Sequence, residues 1–144
     1  MRTPEQVQWD FVQQWLAKAR QDLRVAEVLL RGDLEDFENV GFHAQQAVEK
    51  FIKALLVRYQ IEFPKTHNIA HLRQLVERVD RTLAGDLAPA DILTPYGVEF
   101  RYPGDLGPVS QAQGTDLLRV AKQARDQILG HLKTYLDAGR PGGK

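Results

Sequence analysis

The 144-residue chain has no cysteine. Disulfides, thiolate metal sites and cysteine nucleophiles are therefore excluded. It has no long apolar run, so no segment reads as a membrane span. It has no net charge either, with 19 Lys plus Arg against 19 Asp plus Glu, and so no global basic field of the kind that draws proteins to nucleic acids. The start, Met1-Arg-Thr-Pro-Glu-Gln6, has no apolar core of a signal peptide, and a cytoplasmic location is expected. Phosphate-binding loops, dinucleotide fingerprints, paired-histidine zinc motifs and nucleophile elbows are absent. No stretch alternates with a period of two, so no sheet is expected.

What is present is helical periodicity in a chain that is 43% hydrophobic and 26% charged, the size of one domain. Thr3, Pro4 and Gln6 form a helix start with a capping box. The stripe Val12, Leu16, Ala19, Leu23, Ala26, Leu30 then keeps to one face as far as Arg31, and Gly32 stops it. A second helix is expected from Glu35 to Gln60, with Val40, Ala44, Ala47, Phe51 and Ala54 or Leu55 on one face. Phe42, Ile52 and Leu56 lie on another side. A helix apolar on two sides is either central in its domain or sits at a subunit contact. A third helix is expected from Thr66 or Asn68 to Leu83, a short one over Asp91–Phe100, and a last long one from Pro108 to Leu136. The expected fold is all-α: an antiparallel up-and-down bundle of four long helices plus a short helix before the last, one domain over 1–138 with a flexible tail over 139–144.

Charge is balanced only globally. Residues 22–38 and 85–116 each carry a net −4, and residues 50–81 and 117–144 each carry +4. Solvated faces that attract one another within the bundle explain this pattern, and so does a basic surface that meets phosphate.

The densest polar feature is the row His43, Gln46, Lys50, Lys53, spaced 3-4-3 along one side of the second helix. Gln46 suits a base, a ribose or a backbone group, and the two lysines suit phosphates. The competing reading is an ordinary surface in which Glu49 pairs with Lys53 at i,i+4. His67 and His71 have metal-compatible i,i+4 spacing, but no acid or third histidine stands at a useful offset. His67 reads as a residue of the capping turn, and no metal or cofactor is expected. Arg101 and Tyr102 sit in a Pro/Gly-rich turn, where they serve either to hold a phosphate and stack on a base or to close a structural corner.

Trp15-Leu-Ala-Lys-Ala-Arg-Gln-Asp-Leu23, Phe42-His-Ala-Gln-Gln-Ala-Val-Glu-Lys50, Phe63-Pro-Lys-Thr-His67 and Tyr96-Gly-Val-Glu-Phe-Arg-Tyr-Pro103 together resemble the HEPN domain, in the family's order and over nearly the whole chain. The resemblance implies a helical bundle, a homodimer, and a small nucleotidyltransferase partner, often in toxin–antitoxin pairs. It also implies metal-independent cleavage of RNA in members that carry Arg, four to six residues, then His near the start of the last long helix. In that chemistry a ribose 2′-oxygen attacks the adjacent phosphate, the histidine handles the proton and the arginine offsets the developing charge.

Arg101 falls at the arginine position here, and no histidine follows it before Pro108. Arg125 and His131 match the spacing formally, but six residues at about 100° each set their side chains about 120° apart on one helix. His131 lies between Ile128 and Tyr135, as a core or interface histidine would. A two-fold partner remains one way to bring copies of the pair together. The expectation is a nucleotide-, RNA- or partner-binding module lacking the full ribonuclease motif. The alternatives are an active endoribonuclease using Arg101, or Arg125 and His131, and a purely structural helical protein.

Overall fold

A computed structural model describes residues 1–97 and 104–142. Among these residues all regular structure is helical: α1 (Pro4–Arg31), α2 (Phe37–Arg58), α3 (Ile69–Val76), α4 (Arg81–Asp86), a 3₁₀ segment (Ala88–Gly97), α5 (Gln111–His131) and α6 (Lys133–Ala138). The chain folds as the helical bundle that its periodicity predicts.

The start of α1 is the expected capping box. Thr3 Oγ1 accepts from Gln6 N at 3.1 Å, and Thr3 N donates back to Gln6 Oε1 at 2.9 Å. Val12, Leu16, Ala19, Leu23 and Ala26 all face inward. The second helix begins later than expected, at Phe37. Glu35 has a left-handed φ of 52°, which no helix accommodates, and Asp36 caps the helix by accepting from Asn39 N. It ends at Arg58, because Gln60 turns left-handed at φ 58° and Ile61 N donates to Leu56 O at 2.9 Å.

The third segment departs most from expectation. It is two short helices, not one running to Leu83. Asp80 is extended and accepts from Leu83 N at 3.0 Å, which caps a fresh helix, and the turn before it closes through Asp80 N to Val76 O at 3.0 Å. This break still delivers Leu83, Ala84 and Leu87 to the core. The last long helix starts at Gln111, not Pro108. Ser110 and Gln113 form a second capping box there, and the helix is interrupted at Leu132 before α6. The expected short helix is a 3₁₀ segment that begins at Ala88 and contains Pro95, which cannot donate an i→i−4 bond; residues 98–100 of that expectation lie outside the described residues.

Helix α2 is the centre of the bundle. It packs against α1, α5, α3 and the 3₁₀ segment. Ile52 and Leu56, on its second apolar side, have no exposure within the single chain. At these two positions the second apolar side reflects a central helix, while Phe42 on the same side is only partly buried. Beyond Ala138 the chain lies along α1: Arg140 pairs with Asp10 and Pro141 O accepts from Gln6 Nε2 at 3.0 Å. Arg140 and Arg2 together hold the Asp10 carboxyl down at about 2.

Candidate functional site

Most of the polar side chains that this bundle buries stand on α2. Gln45, Glu49 and Lys53 recur every four residues, and all three are buried. Glu49 is the hub. Its carboxylate accepts from Lys53 Nζ at 2.6 Å and from Gln45 Nε2 at 3.1 Å, and one oxygen lies 2.9 Å from His67 Nδ1. Gln45 Nε2 also donates to His67 O at 2.9 Å, which ties the turn before α3 to α2. His67 is thus held by an acid that the fold brings from far along the chain. The cap of α3 is its neighbour Asn68, which accepts from His71 N at 3.0 Å; His71 itself is exposed.

A second cluster lies toward α1. His43 Nδ1 sits 3.0 Å from Asp22 Oδ1, and Lys50 Nζ donates to Asp22 Oδ2. Burial alone pushes the Asp22 carboxyl up. The hydrogen bonds from His43 and Lys50 outweigh it and hold the group below the ordinary carboxylate value. Asp22 fixes both partners without exhausting them. A lysine ammonium has three N–H donors and imidazole a second ring nitrogen, and His43 and Lys50 both keep part of their surface.

The predicted row therefore divides. His43 and Lys50 meet on Asp22, and Gln46 Nε2 donates sideways to Gln45 Oε1 at 2.7 Å. Lys53 turns inward to Glu49, the i,i+4 pairing that the sequence also allowed, and its ammonium stands 5.5 Å from the ring centres of Trp15 and Phe63. Asp22, Gln45 and Glu49 did not figure as site residues in the sequence reading. All three lie in the segments 15–23 and 42–50 that carry the family resemblance, and Glu49 was also marked by its i,i+4 spacing to Lys53, but no local pattern assigned Asp22 its partners.

The 3₁₀ segment closes against the same stretch of α2. A Cβ on Gly41 would stand 2.4 Å from the Tyr96 ring, and one on Gly97 would stand 2.5 Å from Gln45 Cδ. Both glycines are there for closeness of approach. Arg101 and Tyr102, the next candidates along the chain, lie outside the described residues.

Arg125 and His131 occupy separate surroundings. Arg125 pairs with its neighbour Asp126 at 2.8 Å. His131 Nε2 lies 3.1 Å from the Tyr59 hydroxyl, and its Nδ1 faces Asp80 at 3.9 Å, where α2, α4 and α5 meet. Among the described residues the two share no partner. Among the described residues no group of three or more histidines and acids is arranged to hold a metal, and no helix is long and apolar enough to cross a membrane.

These features define an all-helical bundle whose central helix carries a buried acid–lysine–glutamine ladder and, together with Asp22 of α1, a partly open His–Lys–Asp cluster. Segments far apart in sequence, at 15–23, 42–50, 63–67 and 96–97, come together around it. Family models match residues 12–130 as a HEPN domain, and the chain belongs to that family of nucleotide- and RNA-related modules. Comparisons with curated proteins and with solved structures return no match.

Proposed function

We propose that this protein is an RNA- or nucleotide-binding HEPN module that binds without cutting, acting as a homodimer beside a small nucleotidyltransferase in a toxin–antitoxin-like pair. The observation that carries the binding reading is the cluster on α2. Asp22 orients His43 and Lys50, leaving Lys50 further N–H donors for a phosphate oxygen and the second ring nitrogen of His43 unengaged by Asp22, with Gln46 one turn away. The absence of a histidine after Arg101 supports binding over cleavage, since the family's chemistry needs a proton-transfer group beside the arginine. The homodimer and the nucleotidyltransferase partner rest on family membership alone.

The test uses a short fluorescein-labelled oligoadenylate RNA and the purified protein in the absence of metal. Binding that weakens in Lys50→Ala, with helicity unchanged, is the expected result. Metal-independent cleavage that disappears in His131→Ala would overturn it in favour of the ribonuclease. A strictly monomeric mass by light scattering at micromolar concentration would remove the homodimer.

A further inference from the structure

Next to the His43–Lys50 cluster, the outer face of α1 carries an aromatic groove. Phe11, Gln14, Trp15 and Lys18 line an open volume of about 230 Å³. Phe11 is 51% exposed, although large aromatic side chains are normally drawn inside. Positions 11, 15, 18 and 22 are three or four residues apart and share one face of α1, which places Asp22 and its partners one turn beyond Lys18.

Trp15 is held in place. The Lys53 ammonium stands 5.5 Å from its ring centre, and Phe63 meets it edge-on with centroids 6.2 Å apart. Lys53 is itself fixed by the buried Glu49, at 2.6 Å. The inward pull of Glu49 on Lys53 is thus passed on to the indole as a set orientation. Lys18, on the rim, is exposed. Along this face Lys18, Lys50 and Lys53 face the carboxylates Asp22 and Glu49, a net of +1, and both carboxylates are already engaged by the other two lysines.

A fixed aromatic surface with a free ammonium beside it is what an unpaired base and its phosphate require. Bases stack on aromatic rings whatever their identity, while lysines follow the backbone. We propose that the Phe11–Trp15–Lys18 groove is a stacking subsite for single-stranded RNA. A base lies against Phe11 and Trp15, Lys18 takes its phosphate, and the strand continues to His43 and Lys50. Glu49 and Lys53 act as positioning residues for Trp15. The proposal rests on the RNA-binding reading above.

The experiment uses the full chain carrying Trp9→Phe, so that Trp15 is the one tryptophan left to report. Titration with oligoadenylate is expected to quench Trp15 emission, whereas the same sequence annealed into a duplex leaves it unchanged. Phe11→Ala, at an exposed position where folding is little affected, is expected to weaken binding at least about fivefold, the low end of one lost stacking contact. Lys18→Ala is expected to weaken it and to flatten its dependence on salt.

If RNA binds and Lys50→Ala weakens it, while Phe11→Ala and Trp15 emission show no effect, the groove proposal is wrong and the binding reading stands. If no RNA binds the parent protein, both fall. If Phe11→Ala leaves RNA affinity intact but lowers the molecular mass in solution, the groove is instead a contact between copies of this chain.

Discussion

Replacing Glu49 by leucine is the sharpest perturbation of this fold. The side chain is 5% exposed, and its carboxylate takes a hydrogen bond from Lys53 at 2.6 Å and another from Gln45 at 3.1 Å. Leucine fills much of the volume but accepts nothing. Lys53, 8% exposed as a residue, is then left without its counter-charge, and the fully buried Gln45 loses one of its acceptors. Two aromatic faces 5.5 Å away compensate only in part. Breaking a buried ion pair from one side costs about 3–5 kcal/mol. A domain of this size has about 5–15 kcal/mol in total, so Glu49→Leu removes a large share.

The double variant Glu49→Leu/Lys53→Met removes both charges together and is expected to return to within about 1 kcal/mol of the parent, since an apolar pair of similar volume replaces a buried salt bridge at little cost. The recovery of the double variant over Glu49→Leu alone, read from urea unfolding of the parent, both single variants and the double followed by circular dichroism, is then about 2–4 kcal/mol. A single variant that loses less than about 1 kcal/mol, or a double variant as unstable as the sum of the singles, would refute the ladder as described.

Three further outcomes follow from particular residues. Gln60 occupies a left-handed φ of 58° at the end of α2, so Gln60→Gly is expected to raise the unfolding free energy by about 1 kcal/mol in urea titrations. Gly41→Ala puts a methyl group 2.4 Å from the Tyr96 ring and is expected to cost about 1–3 kcal/mol, with the loss relieved by Tyr96→Ala in the same chain. The folded-state pKa of Asp22 lies below its unfolded value of about 3.9. Its contribution is therefore present above that value and is lost as pH falls through the lower folded value. The stability gap between the parent and Asp22→Asn should hold steady at neutral pH and shrink only below about pH 4. A gap that widens on acidification would contradict the sign.

The helices were legible because each announces itself locally. The Thr3–Gln6 capping box, the 4-3-4 stripe of α1 and the two-sided apolar pattern of α2 are all features of short sequence windows. Their boundaries were less legible, because a single residue decides them. Asp80 cuts the third segment, Glu35 and Gln60 trim α2 with left-handed backbone, and Ser110 moves the start of α5. Each of these choices competes with a continuous apolar stripe that says otherwise.

The site divides in the same way. His43, Gln46, Lys50 and Lys53 stood out because helical spacing alone puts them in a row. What each one does was decided by groups from other elements: Asp22 from α1 takes His43 and Lys50, and Trp15 and Phe63 flank Lys53. The carbonyl of His67 takes Gln45, and the His67 ring meets Glu49. The sequence by itself determined an all-helical chain with a charged row on its central helix, because helical periodicity depends only on neighbours three and four residues apart. Which of those charges are neutralised and which still face outward was settled by tertiary packing, because a buried charge persists only beside a partner, and the partners lie up to 28 positions away.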